Sequence, residues 1–261
     1  MHDGHDFFLL LCSGSFGAVV GSFLNVCIYR LPRCESVAWP GSHCPTCSQA
    51  IAWYDNIPIL SYVALAGRCR HCGVHIPLQY PAVEILNSLG YVSILWFFGL
   101  TWSTVVYWGL YSALLVVAGT DLSHKIIPNA ITFPGIVIGL ISAGTILPLG
   151  LVNGIIGLLV GGGILWLLAW ASPYLFGKEG MGGGDIKLLA MVGAFLGWKP
   201  AVMTIMLGSF LGSVVGVTLI AAKVMRREDY IPFGPFLVCG ALVSLFFGQS
   251  LLDWYQGLLA G

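Results

Sequence analysis

Eight stretches of nearly unbroken apolar sequence limit the folds open to this chain more than any other feature. They fall at roughly 7–28, 81–100, 102–120, 128–147, 151–172, 186–198, 201–222 and 233–252. A helix needs about 20 apolar residues to cross the hydrocarbon core of a bilayer, where every backbone polar group must be satisfied within the segment. The sixth stretch is short and follows a Gly-rich loop, so it reads as a half-span or as a helix that starts below the membrane surface. Only 8% of residues are charged and 57% are hydrophobic, against about 25% charged in an ordinary soluble domain. That composition excludes a soluble enzyme and a disordered protein. The balance of 11 Lys+Arg against 11 Asp+Glu also lacks the basic excess of a nucleic-acid binder. Glycine, at 35 residues, suits membrane helices that approach closely through small side chains. The expected fold is an all-α polytopic membrane protein with about eight transmembrane helices.

Orientation follows from the basic residues. His2, Asp3, His5 and Asp6 precede the first stretch, whereas Arg30 and Arg33 follow it. A cleaved signal peptide carries its positive charge on the other flank, so the first helix (1–29) is expected to be an uncleaved anchor with its N-terminus outside. Eight spans then place Arg30, Arg33, Arg68, Arg70, Lys125, Lys178, Lys187, Lys223, Arg226 and Arg227 in cytoplasmic segments, and only Lys199 outside. This matches the excess of Lys and Arg in cytoplasmic loops. Both termini are expected outside.

One polar insertion, at about 30–79, interrupts the apolar pattern. It reads as a small cytoplasmic subdomain between the first and second helices, ahead of a helical core at 80–261. So short a segment needs a staple or a docking surface. Four of the eight cysteines supply one: Cys44-Pro-Thr-Cys47 and Cys69-Arg-His-Cys72 are two knuckles 21 residues apart. Their four thiolates suit one tetrahedral zinc ion, and cytoplasmic disulfides rarely persist. Metal binding would supply folding free energy. With no ligand position left open, the zinc is expected to be structural. His43, His71 and His75 read as solvated loop residues. Cys12, Cys27, Cys34 and Cys239 read as small packing residues.

In a chain with so few acids, each one near a span needs an explanation. Glu35, Asp55, Glu228 and Asp229 sit in loops, and Asp253 lies near the outer end of the last helix. Among the others, Glu84, Asp121 and Asp185 stand out. Taken singly, Asp121 reads as a helix-end residue beside Lys125, Asp185 as an N-cap, and Glu84 as a carboxylate reaching for the interface. Asn25 reads as a helix–helix hydrogen-bonding residue, and Lys187 either biases the ionisation of Asp185 or sits at the interface. Together, Asp121 and Asp185 fall at the cytoplasmic ends of their spans. The run Gly180-Met181-Gly182-Gly183-Gly184-Asp185 lets backbone come close to an extended peptide. Two carboxylates at one depth can share a proton and activate water, one as base and the other as acid. The Gly run does not fit a P-loop, because Lys187 is misplaced and no Ser or Thr follows it. No Gly-x-Ser-x-Gly elbow is present.

With these motifs in order, the chain resembles the bacterial prepilin peptidases, the bifunctional leader peptidases and N-methyltransferases of type IV pili and type II secretion. The resemblance rests on Gly21-Ser22-Phe23-Leu24-Asn25-Val26 with Tyr29-Arg30-Leu31-Pro32, both Cys pairs, and Trp53-Tyr54-Asp55-Asn56-Ile57-Pro58-Ile59-Leu60-Ser61-Tyr62. It continues through Tyr80-Pro81, Val83-Glu84, the segment from Asp121 to Asn129, and Gly182-Gly183-Gly184-Asp185-Ile186-Lys187, which carries the family's Gly-x-Gly-Asp signature. The stretch before Tyr80 departs from the family, with Leu78 and Gln79 where a basic residue is often found.

The resemblance implies an aspartic endopeptidase of the bacterial inner membrane in which Asp121 and Asp185 are catalytic. Gly182, Gly183, Gly184, Lys187 and Glu84 would be supporting residues. The substrates would be prepilins and pseudopilins, cut after the Gly that ends a short basic leader, at the cytoplasmic face. Methylation of the new N-terminus by S-adenosyl-L-methionine would follow, with the Cys subdomain typical of members that carry it out. Three rivals remain open at this point. A transporter with a zinc-stapled loop would want charges near the bilayer midplane and inverted repeats, neither of which is evident. A dedicated methyltransferase would have inert aspartates. A presenilin-type peptidase would cut within the bilayer.

Overall fold

The computed structural model describes residues 3–176, 182–226 and 231–260, with side chains for 7–174, 182–226 and 231–258. Lys178, Gly180, Met181, Arg227, Glu228 and Asp229 lie outside the described residues, as do His2 and the side chains of Asp3, His5 and Asp6. The eight apolar stretches are all helical: α1 (Asp3–Arg30), α3 (Gln79–Phe98), α4 (Trp102–His124), α5 (Asn129–Thr145), α6 (Leu151–Phe176), α7 (Gly183–Leu196), α8 (Trp198–Ala221) and α9 (Gly234–Ala260). A further short helix, α2 (Leu60–Ala64), lies in the polar insertion. No strand forms among the described residues, where only two isolated β-bridges occur. Six of the helices are long and apolar enough to cross a membrane. α5 and α7 are shorter, at 17 and 14 residues, or about 26 and 21 Å at 1.5 Å per residue.

The chain divides into two compact units, Met1–Val116 and Val117–Gly261, with α4 running from one into the other. In the first unit α1 packs closely on α3. A Cβ added at Gly21 would sit 2.8 Å from the Cα of Glu84, so the two backbones touch where a side chain would hold them apart. Polar side chains reinforce the seam. Asn87 donates Nδ2–H to the Gly17 carbonyl at 2.7 Å, Ser88 donates to Gly14 at 2.8 Å, and Asn25 donates to Tyr80 at 3.0 Å. Asn25 thus acts as the helix-bridging residue its position suggested. Tyr91 stacks on Trp108 at 4.8 Å.

The second unit is organised around α7, which contacts α5, α6, α8 and α9. Leu188, Leu189, Met191, Val192 and Ala194 are each no more than 1% exposed. A helix that is apolar all round is a buried one. Its crossing with α6 is the tightest in the molecule's described part: a Cβ on Gly157 would lie 2.1 Å from the Gly193 carbonyl oxygen.

Candidate active site and metal centre

Both aspartates belong to the second unit. Asp121 lies in the last turn of α4 and Asp185 in the first turn of α7, and they are 4% and 5% exposed. They lie near enough for their charges to interact. The Asp121 backbone carbonyl accepts the N–H of Lys125 at 2.8 Å. Lys125, at φ 57°, ends the helix and turns the chain toward α5. The side-chain Oδ2 of Asp121 accepts the N–H of Gly234 at 2.9 Å, so the carboxylate satisfies one of the four orphan donors that open α9 and sits at the positive end of that helix.

Asp185 is not an N-cap, as its position alone suggested. Gly182 holds the cap position, at φ −75° and ψ 144°, and Asp185 is the third helical residue. Its N–H donates to the Gly182 carbonyl at 3.3 Å. The glycines differ in role. A Cβ on Gly184 would meet the Cβ of Ile127 at 2.9 Å, whereas one on Gly183 meets nothing within 4 Å. Lys187 donates Nζ–H to Asn129 Oδ1 at 2.8 Å and lies over the Phe133 ring at 5.4 Å. Contact of Gly184 with Ile127, and of Lys187 with Asn129, therefore joins the two segments that the sequence singled out separately. Sequence reasoning missed Gly234. Its signal is the helix-opening pair Gly234-Pro235 after Phe233, because proline is tolerated in the first turn of a helix.

The four expected metal ligands also come together. The Sγ atoms of Cys44, Cys47, Cys69 and Cys72 all lie within 4.8 Å of one another, and Cys44 and Cys72 are 3.8 Å apart. A tetrahedron with metal–sulfur bonds of about 2.3 Å has an edge of about 3.8 Å, so the donor set fits zinc. No disulfide links them. The two knuckles have the same internal geometry 25 residues apart, a repeat not visible in their side chains. Cys44 N–H donates to Gln49 and Ser48 N–H to Cys44. Equivalently, Cys69 N–H donates to Val74 and Gly73 N–H to Cys69, all at 2.8 to 2.9 Å. Each knuckle closes on a left-handed residue after its second cysteine, Ser48 at φ 57° and Gly73 at φ 69°. The backbone N–H of Cys47 draws the Cys44 thiol down to about 6. Arg70 of the second knuckle forms a bidentate pair with Asp55, at 2.6 and 2.8 Å, and its hydrogen bond holds the Asp55 carboxyl below its ordinary value. Among the other cysteines, Cys27 is buried as expected, but Cys12, Cys34 and Cys239 are exposed.

Glu84 belongs to the first unit and does not reach for the interface. It is 7% exposed, and Oε2 accepts the N–H of Ile59 at 2.7 Å. Ile59, at φ 62° and ψ −51°, holds the positive φ of a γ-turn, with Leu60 N–H donating to the Pro58 carbonyl at 2.6 Å, a conformation unusual for a β-branched residue.

Residues 15–98 match the bacterial peptidase A24 N-terminal domain, and residues 108–217 match the type IV leader peptidase family. The chain belongs to the type IV leader peptidase family. Within that family it is similar to a prepilin leader peptidase/N-methyltransferase of Pseudomonas aeruginosa, 34% identical over 96% of this chain and 94% of that protein. It is similar to proteins of the same name from Xanthomonas campestris pv. campestris, 36% identical over 93% of each chain, and Aeromonas salmonicida, 35% identical over 92% of this chain and 91% of that one. No solved structure matches.

Proposed function

We propose that this protein is a membrane-embedded aspartic endopeptidase that removes the leader of type IV prepilins and pseudopilins and then N-methylates the new terminus. The observation that carries the reading is the pair Asp121 and Asp185: two buried carboxylates at neighbouring helix ends, within reach of each other's charge. Such a pair shares one proton, because like charges at close range cannot both ionise easily. The ionised member takes a proton from water as that water attacks the scissile carbonyl. The protonated member donates to the carbonyl oxygen. As the tetrahedral intermediate collapses, a proton passes to the departing amine. Gly182 and Gly183 leave open backbone at the start of α7 for the extended leader boundary, and Lys187 anchors that start to Asn129.

The same reading sets the protein in the bacterial inner membrane. α5 and α7 complete eight passes, both termini lie outside, and the aspartates face the cytoplasm, where a basic leader resides. The helical core at 80–261 carries cleavage, and the 30–79 subdomain is associated with methylation. Cys44, Cys47, Cys69 and Cys72 would hold zinc in a closed tetrahedron, which supplies folding free energy to that subdomain. S-adenosyl-L-methionine would supply the methyl group. A transporter is not favoured, given the family to which the chain belongs.

The test compares wild type, Asp121→Asn and Asp185→Asn in nanodiscs with a full-length prepilin, following leader release and the mass of the new terminus. Each variant is expected to keep its zinc and helicity and lose cleavage. Cleavage at the wild-type rate by either variant would remove the dyad mechanism.

A further inference from the structure

Between Asp55 and Arg68 the chain carries no charged residue, and positions 57–66 of the polar insertion form a short, mostly apolar run. An apolar run of about 10–14 residues is too short to span a bilayer; it belongs to a buried core helix or to a re-entrant or interfacial segment. The structure removes the first of these. No residue of α2 is buried, and Leu60 and Val63 are 68% and 71% exposed. Leu60, Val63 and Ala64 are all exposed and stand at the i, i+3 and i+4 positions that share one helical face. Ser61 and Tyr62 instead donate to the carbonyls of Tyr54 and Ile76.

Contacts with the membrane-capable helices fix the level of this run. α3 has 20 residues from Gln79, or about 30 Å, which matches the thickness of a hydrocarbon core. Glu84 stands about 7.5 Å along it from Gln79. Its carboxylate takes the Ile59 N–H at 2.7 Å together with the Ser22 hydroxyl of α1. The start of α2 is thus pinned to two spans, inside their polar ends. Val19 and Phe23 of α1, both more than half exposed, line one cavity with Ile57 and Ile59, so the outward apolar surface of α1 continues into the run. The backbone is also suited to a place without water. From Ile57 to Ser61 every N–H donates within the protein: Ile57 to Ser61 Oγ, Ile59 to Glu84, Leu60 to Pro58 and Ser61 to Ile57. Lipid requires this of any backbone that enters it. Exposed Trp53 precedes the run and exposed Arg68 follows it, and aromatic and basic residues are the ones that flank apolar segments at the membrane surface.

We propose that residues 57–66 are seated in the bilayer's headgroup–acyl boundary, on the membrane face that carries Arg30 and Gln79, with Leu60, Val63 and Ala64 against lipid. The partner of this surface is phospholipid. Apolar faces of interfacial helices lie about 5–10 Å into that boundary, the level that Glu84 sets. Cys69 follows the run by three residues, so the four-cysteine cluster is held beside the membrane surface instead of projecting away from it.

The test places the photoreactive residue p-benzoyl-phenylalanine at Val63 of the full chain in phospholipid nanodiscs, with the same residue at Phe16, on the exposed side of α1, as the reference. After irradiation, the intact chain is expected to gain the mass of one phospholipid, in a yield comparable to that at Phe16. Ala64, exposed on the same face, is the second site should the Val63 variant lose helicity. A lipid adduct at Phe16 with none at positions 63 and 64 overturns the proposal, since the face then meets water. A cross-linked pair of chains overturns it too, because the face would then be an interface between copies.

Discussion

Asp121 accepts the backbone N–H of Gly234 at 2.9 Å across 113 residues of chain, so the opening of α9 is held by the side chain that closes α4. A Cβ at Gly234 would stand 2.6 Å from that same oxygen. Gly234→Ala is therefore expected to push the carboxylate aside while leaving the helices intact. A displacement of about 1 Å at a catalytic group costs about 100-fold in rate. Steady-state leader release should show a fall in kcat of that order, with far-ultraviolet circular dichroism unchanged. An unaltered kcat would mean that the Asp121–Gly234 contact does not hold catalytic geometry.

The contact of Gly184 with Ile127 makes an unequal prediction for two adjacent glycines. Gly184→Ala forces apart the segments that carry Asp121 and Asp185. Gly183→Ala adds a methyl group to open space. Turnover should fall at least about tenfold further in the first than in the second. Equal losses would show that the Gly run serves substrate approach alone.

Closest approach of α6 and α7 predicts a stability effect. Gly157→Ala places a methyl carbon on the Gly193 carbonyl. Overpacking of this kind typically costs about 1–3 kcal/mol, and a backbone neighbour that cannot rotate away puts this site at about 3 kcal/mol. The midpoint of unfolding in mixed micelles of increasing dodecyl sulfate should shift down accordingly. An unmoved midpoint would show that the two helices separate freely.

The metal cluster gives a pH prediction. In metal-stripped protein the Cys44 thiol lies at about 6, held down first by the Cys47 N–H, against an ordinary thiol value of about 8.5. A depressed folded value contributes stability that is present above the unfolded value and is lost as pH falls toward about 6. The knuckle should thus be most ordered in mildly alkaline buffer and loosen on acidification. Alkylation of Cys44 by iodoacetamide, followed by mass spectrometry, should rise with a midpoint near 6. A midpoint near that of an ordinary thiol would show that the knuckle is not preformed without metal.

How much of this was legible beforehand varies with the kind of signal. Hydropathy located all eight apolar helices, because burial in lipid or in a bundle leaves the same apolar mark. For that reason it could not by itself tell the largely exposed α8 from the enclosed α7; the shortness of the sixth stretch was legible, and the caps at Gly182 and Gly197 fix its ends. Cys44, Cys47, Cys69 and Cys72 were readable because ligand spacing is local. Gly234 was not, since its partner Asp121 is distant in sequence and a helix-opening Gly-Pro pair is common. The positive φ of Ile59 ran against its own residue type: nothing in a β-branched side chain announces it, and it is visible only through the structure, where the Glu84 carboxylate receives its N–H. The N-cap reading of Asp185 failed by three positions, since a glycine served as well at the cap.

The enclosure of α7 has a consequence for biogenesis. A 14-residue segment is too short to partition into a bilayer as an independent span, which takes about 20 residues. With nearly every side chain wrapped by neighbouring helices, it can settle only after those neighbours have been inserted. Asp185, carried on its first turn, therefore reaches its partner late in assembly. A nascent or partly inserted chain holds one aspartate without the other, and the two carboxylates meet only as the finished bundle closes around its shortest member.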